Sequence, residues 1–452
     1  MRLLLCAMLL AAAACTPVPP APVTARMVLP DLPPMQRFAG PAVTPPRRAN
    51  ADMAQDFMDL TFRLESGRQL SVFTRFEGPV RVRMIGAVPP SAPEDLRRLI
   101  NRLRNEAGID IAASADPGSE ISIEFLPMRT MQRMVPQAAC FVAPRVGSSR
   151  EYRRARRGTI DWYTLTSRER VAIFIPSDTA PQEVRDCLHE ELAQALGPLN
   201  DLYRLPDSVF NDDNIHTVLT GFDMLMLRAY YAPELRNGMT AGEVAARLPA
   251  LLVRLNPRGE GVRPRHPEIT PRAYVEAIET ALGPGTSESR RRAAAVTALN
   301  IARANGWQDA RAGFTWLALG RLSLGYDAEV AEFAFRQSAA IYHSQPGLAL
   351  HAAHADMQLA AFALSQGRAN ATIALADASI PVVASAENAA LLAHFLMVKA
   401  EALDMLGRSA EARQVRLDSL GWARYGFASD TEVWGRLMNI AALSPVQRAR
   451  HP

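Results

Sequence analysis

Lysine is nearly absent: Lys399 is the only one in 452 residues, so the positive charge is carried by arginine. The formal net charge is only +4. That gives no case for a nucleic-acid-binding protein, which needs a strongly basic domain. Beyond the first residues, no stretch is long and apolar enough to span a bilayer as a helix. Cysteine is scarce, with four in the chain, and no two have zinc-finger or redox-motif spacing. What is present is a 48% hydrophobic composition, enough for two or three domains with real cores.

The chain opens Met1-Arg2 and runs apolar from Leu3 to Ala14, the length of a signal-peptide core. Ala12-Ala13-Ala14-Cys15 then resembles a lipobox, at which bacterial lipoproteins are cleaved and the new N-terminal cysteine acylated. Residues 1–14 are expected to be a signal peptide and Cys15 the lipidated residue. A diacylated cysteine anchors stably because its chains bury many methylenes. Thr16, where an Asp would retain a lipoprotein at the inner membrane, points to a periplasm-facing protein of the outer membrane. Residues 15–50 are dense in proline, with ten between Pro17 and Pro46, and are expected to form an extended tether. Cys140 and Cys187 remain as an even pair in an oxidising compartment and are expected to bridge.

Residues 51–250 read as mixed α and β. Val80, Val82 and Met84 alternate with arginines, as do Ile121, Ile123 and Phe125 with their neighbours, and Val171, Ile173 and Ile175 make a further strand. A helix with Leu96, Leu99, Ile100 and Leu103 on one face should start with a Ser91/Glu94 capping box and stop at Gly108. Residues 127–169 read as irregular, with a solvated basic run at Arg153, Arg154, Arg156 and Arg157.

The next helix should start with a Thr179/Gln182 capping box, with Pro181 in its first turn, and end at Gly197. Val184, Leu188, Leu192, Ala195 and Leu196 form its apolar arc. Glu191 falls inside that arc, with Glu190 and Gln194 on the rim. A carboxylate there must be paired or its pKa rises.

Glu190-Glu191-x-x-Gln194-x-x-Gly197-x-x-Asn200-Asp201 resembles the metzincin signature H-E-x-x-H-x-x-G-x-x-H. The resemblance puts Glu191 at the water-activating glutamate and Gly197 at the turn glycine. Glu190, Gln194 and Asn200 stand at the three histidine positions. Ser208-Val209-Phe210 stands where a methionine turn would follow, and Asp223 to Tyr231 resembles the helix after it. The run also resembles an uncharacterised proteobacterial lipoprotein family with a metzincin-like domain of unknown function. Reading His189-Glu190 as the start of H-E-x-x-H fails, because the fifth position is Ala193. Neutral amide oxygens are poor zinc ligands, and calcium or magnesium want more than three oxygens. Without a metal, a site water keeps a pKa near about 15.7 instead of about 7. No metal or other cofactor is expected, zinc or another divalent ion being the alternative.

Residues 251–288 read as a linker containing a helix, and 289–445 as alanine-rich helices with segments recurring about 40 residues apart. Ala400-Leu403, Gly407 and Ala410-Ala412 resemble a tetratricopeptide helix-turn-helix. The fold expected is an α+β zincin-like domain followed by an all-α, tetratricopeptide-like domain. The function expected is an envelope lipoprotein whose degenerate protease cleft binds a peptide or an envelope protein. The alternative is an envelope peptidase or hydrolase with Glu191 as general base.

Overall fold

The computed structural model describes residues 31–41, 43–136, 138–266 and 268–446. The expected signal peptide and Cys15 lie outside the described residues. The chain divides into two units, Met1–Leu32 and Pro33–Pro452, and every element below belongs to the second.

The first half alternates helices and strands: α1 (Asn50–Phe62), β1 (Val80–Gly86), α2 (Ala92–Ala107), β2 (Ile111–Ala113), β3 (Ile121–Leu126), α3 (Met128–Gln132), β4 (Phe141–Pro144), α4 (Ser149–Arg154), β5 (Val171–Pro176), α5 (Pro181–Leu196), α6 (Gly221–Tyr230) and α7 (Ala241–Leu255). The strands form one sheet, ordered β2-β1-β3-β5-β4. Four of them are parallel, and β4 runs antiparallel to β5 along one edge.

All six residues of β5 are buried, as a strand covered on both faces must be. Val171, Ile173 and Ile175 join the main core with α2 and α5. Ala172 and Phe174 face the other way, onto Met131, Ala143 and Tyr152. Residues 127–169, expected to be irregular, therefore supply short helices, an edge strand and the cover for that second face.

Both expected capping boxes fail. Ser91 makes no side-chain cap, and α2 begins one residue later. The residue before α5 is Ala180, whose methyl cannot cap, and the Gln182 amide is used elsewhere. Gly108 does end α2, in the left-handed conformation at φ 69°.

The second half is helical: α8 (Arg272–Leu282), α9 (Glu288–Ala304), α10 (Ala310–Ser323), α11 (Ala328–His343), α12 (Ala349–Ser365), α13 (Ala369–Ser385), α14 (Ala389–Met405), α15 (Ser409–Gly426) and α16 (Asp430–Ala441). Even-numbered helices start at residues 272, 310, 349, 389 and 430, so successive hairpins begin about 40 residues apart. The helix expected within a linker, α8, packs on α9 and puts Tyr274 and Ile278 into the helical core. No helix among the described residues is long and apolar enough to cross a membrane.

The halves share a bonded seam. The Gln182 side chain donates to Asn388 Oδ1 (3.2 Å) and accepts from the Ala390 backbone N–H (2.9 Å). Buried Tyr425 donates to Asp95 (3.0 Å). Arg185 lies 3.7 Å from Glu387. Residues 33–41 and 43–48 run across the same seam, although their proline content suggested a tether. Gln36 bonds the Gly421 carbonyl (3.0 Å) and Asp418 (2.8 Å), and Phe38 stacks on Trp422 at 4.3 Å. Further along, Arg48 pairs with Asp56 of α1 and with Asp207. At the crossing of α6, Gly221 has no room for a Cβ, which would collide with the Thr44 carbonyl.

Candidate functional site

The residues singled out on α5 are held by its packing. Val184, Leu188, Leu192, Ala195 and Leu196 are fully buried, as their spacing requires. The C-terminal end of the helix is pinned chiefly by Arg168, with the Tyr231 hydroxyl donating to the Leu196 carbonyl (3.1 Å). Buried Arg168 donates to the carbonyls of Gln194 (2.6 Å), Ala195 (2.8 Å) and Gly197 and to Thr74 Oγ1 (3.2 Å). It has no carboxylate partner among the described residues; the negative end of the helix takes that role. Burial pushes its pKa down. Gly197 is required by a close approach, since a Cβ would lie 2.9 Å from the Tyr230 ring.

Cys187 on α5 is bridged to Cys140, with the two Cα atoms 6.0 Å apart. Sequence reasoning anticipated this pairing.

Glu191 is 4% exposed, and its Oε2 has no hydrogen-bond partner. Burial, with Glu190 and Glu65 adding like charge, raises its pKa well above the usual carboxylate range. Glu190 is pushed up to about 8 by burial and by Asp212, Glu65 and Asp186. Asp212 rises to about 7 from burial and from Glu65, Glu279 and Asp213. Asp201 also rises strongly, from burial first; its hydrogen bond with Glu65 joins two carboxyl groups and so needs a proton. Sequence reasoning found Glu190 and Glu191 but missed Glu65 and Asp212, which reach α5 from loops.

The histidine-equivalent positions do not converge. Gln194 donates to Asp201 Oδ2 (3.4 Å). The Asn200 amide points to α1, donating to the Asp59 carbonyl (3.0 Å). His189 is buried and accepts the Leu219 N–H (3.2 Å). With two of three positions turned to structural hydrogen bonds, these residues do not fit a zinc ion. No group of three or more His, Cys, Asp or Glu side chains among the described residues has metal-binding geometry. Below α5, Ser208 bonds Asp223 (2.5 Å), the Val209 N–H bonds the same carboxylate (3.2 Å), and Phe210 is fully buried.

Glu190 faces a cavity of about 730 Å3 between the two halves. That volume lies within the range of small-ligand sites, about 300–1,000 Å3. One wall is α5 with the disulfide. The other is built from α10, α12, α14 and α16, carrying Arg321, His354, His394 and Arg436. Burial keeps the histidines neutral, with His354 pushed down to about 3 and His394 to about 4. The basic residues of this wall lie more than 100 residues from α5 in sequence, and no local pattern ties them to it.

Residues 50–250 match the family described as Protein of unknown function (DUF2927). No curated protein and no solved structure matches the chain.

The acid cluster predicts a pH dependence. Glu190 moves from an ordinary value of 4.5 to about 8 in the fold. The folded state thus holds this proton more tightly than the unfolded one. Its contribution is complete below about pH 4.5 and is lost as pH rises through about 8. The amide in Glu190→Gln cannot ionise, so the variant should melt about 3 °C or more above the wild type at pH 8.5. At pH 5 the two should melt together. Thermal melts followed by circular dichroism check this, and an equal shift at both pH values would refute the cluster's role.

Proposed function

We propose that the protein is a cell-envelope lipoprotein whose α/β half is a metalloprotease-like domain used for binding, closed over by tetratricopeptide-like helical hairpins. The observation that carries this reading is the use of Gln194 and Asn200. Both stand at ligand-equivalent positions, and both are committed to hydrogen bonds that hold the fold. The strand-rich region followed by a long helix bearing Glu191 and Gly197 supports the zincin-like layout. The regular interval between hairpins supports the repeat reading. The disulfide supports an oxidising compartment.

Glu191 as a general base would need to be ionised. Burial and two neighbouring carboxylates oppose that. A partner peptide or envelope protein held in the cleft fits these features better than hydrolysis does.

Metal analysis of protein purified without chelators should give well under about 0.1 zinc per chain, taking tight structural zinc as the contrast. A quenched fluorescent peptide library should remain uncut. Stoichiometric zinc, with cleavage abolished by Glu191→Gln, would defeat the proposal. The anchor has its own test. Cys15→Ser should move the protein from the membrane fraction to the soluble one, and unchanged fractionation would refute lipidation at that residue.

A further inference from the structure

The cavity between the halves has walls of opposite chemistry that do not neutralise each other. On the α5 wall, Glu190 has no hydrogen bond or ion pair among the described residues, and its surroundings add Asp212, Glu65 and Asp186. No arginine contributes there. On the helical wall, Arg321 at the end of α10 likewise has no hydrogen bond or ion pair among the described residues. The residue is exposed, and no carboxylate influences its charge. His354 Nε2 is buried without a partner. Gln358, one turn further along α12, lines the same cavity, and its amide makes no hydrogen bond among the described residues. His354 and Arg321 are close enough to influence each other.

Arg321 is exposed, His354 and Gln358 are half-buried, and His354 Nε2 is a buried polar atom left without a partner at this end of the cavity. Such groups fit a planar carboxylate, which a guanidinium can grip with two parallel N–H bonds. Across the cavity, an acid cluster around Glu190 fits an ammonium group. Neither Glu190 nor Arg321 makes an ion pair among the described residues, so a ligand spanning the cavity between them would carry both charges. The volume admits a few residues of extended chain and excludes a folded partner.

We propose that this cavity binds a short peptide with both ends free, its carboxylate held by Arg321, His354 and Gln358 and its ammonium by Glu190. The assignment rests on the reading of α5 as one wall of a binding cleft, and it names the ligand class of that cleft.

The test uses the full chain and trialanine as probe, followed by isothermal titration calorimetry. Trialanine should bind with one site per chain. Its C-terminal amide and the variant Arg321→Met should each weaken binding at least about tenfold, the loss expected for one charged hydrogen-bonded contact. Amidation should cost nothing further in Arg321→Met, because the two changes remove the same contact. N-acetylation and Glu190→Gln should form a second such pair. Arg321→Lys, which keeps the charge, should fall between the wild type and Arg321→Met, and melting curves check that each variant is folded.

Absence of trialanine binding overturns the assignment. So does equal binding of the amide, or penalties that multiply independently in Arg321→Met. Chromatography of the titrated mixture separates this outcome from the fate of the preceding reading. Cleavage of trialanine would defeat the non-catalytic role and leave recognition standing. Intact peptide without binding would defeat the recognition alone.

Discussion

Arg168→Met should cost about 4 kcal/mol of stability and lower the melting temperature by about 8 °C or more. Arg168 closes the C-terminal end of α5 with bonds to three carbonyls, and it does so in a buried place. Methionine keeps much of the aliphatic volume but supplies no donor. The carbonyls of Gln194, Ala195 and Gly197 would then be buried without their partner, at about 1–3 kcal/mol each. Some of that loss is offset because no guanidinium has to be desolvated. Stacking over Trp162, at 5.1 Å, would also go. Arg168→Lys should be intermediate, since one ammonium cannot reach all three carbonyls with the same geometry. Chemical denaturation and thermal melts measure the effect. A melting point within about 2 °C of the wild type for Arg168→Met would show that the helix end is held without the bonds of Arg168.

The second large effect is expected from removing the disulfide. The bond closes a loop of 47 residues in sequence separation. Chain-entropy reasoning assigns such a loop about 4 kcal/mol. It ties the segment before the edge strand β4 to the middle of α5, so the damage should be local before it is global. The double variant Cys140→Ala/Cys187→Ala should lose stability by about that amount. Hydrogen exchange should show residues 138–144 opening first, well below the global unfolding transition. The wild type under a strong reductant should behave like the variant. If exchange at β4 were unchanged, the strand would owe its place to β5 alone.

Much of this architecture was legible locally. Alternation placed β1 and β3, and the β-branched residues Val171, Ile173 and Ile175 placed β5, although that strand is buried on both faces. Period-3.6 spacing placed the apolar arc of α5, and with it the anomaly of Glu191. A pair of cysteines left over after the N-terminal segment was enough to infer the bridge.

Other features were not legible, for physical reasons that differ. Strand β4 is four residues long, half-buried, and ends in Pro144, so no period can register. Gln182 looked like half of a capping box because its spacing from Thr179 is right. Its amide instead bonds Asn388, 206 residues away, and a tertiary contact displaced a local one. The proline-rich stretch hid Phe38 and Arg48, whose partners Trp422 and Asp207 lie far along the chain. Likewise Asp212 and Glu65, which with Asp186 of α5 raise the pKa of Glu190, come from loops whose sequence carries no periodic signal.

The crossing of residues 33–41 and 43–48 over the seam has a mechanical consequence. A load applied at the N-terminal side enters the body at α15, where Arg424 holds the Pro33 carbonyl and Asp418 holds Gln36. It must peel Phe38 from Trp422 before reaching Arg48 and its two carboxylates. A pull from that end therefore loads the helical half first, through α15, and the α/β half only afterwards, through α1.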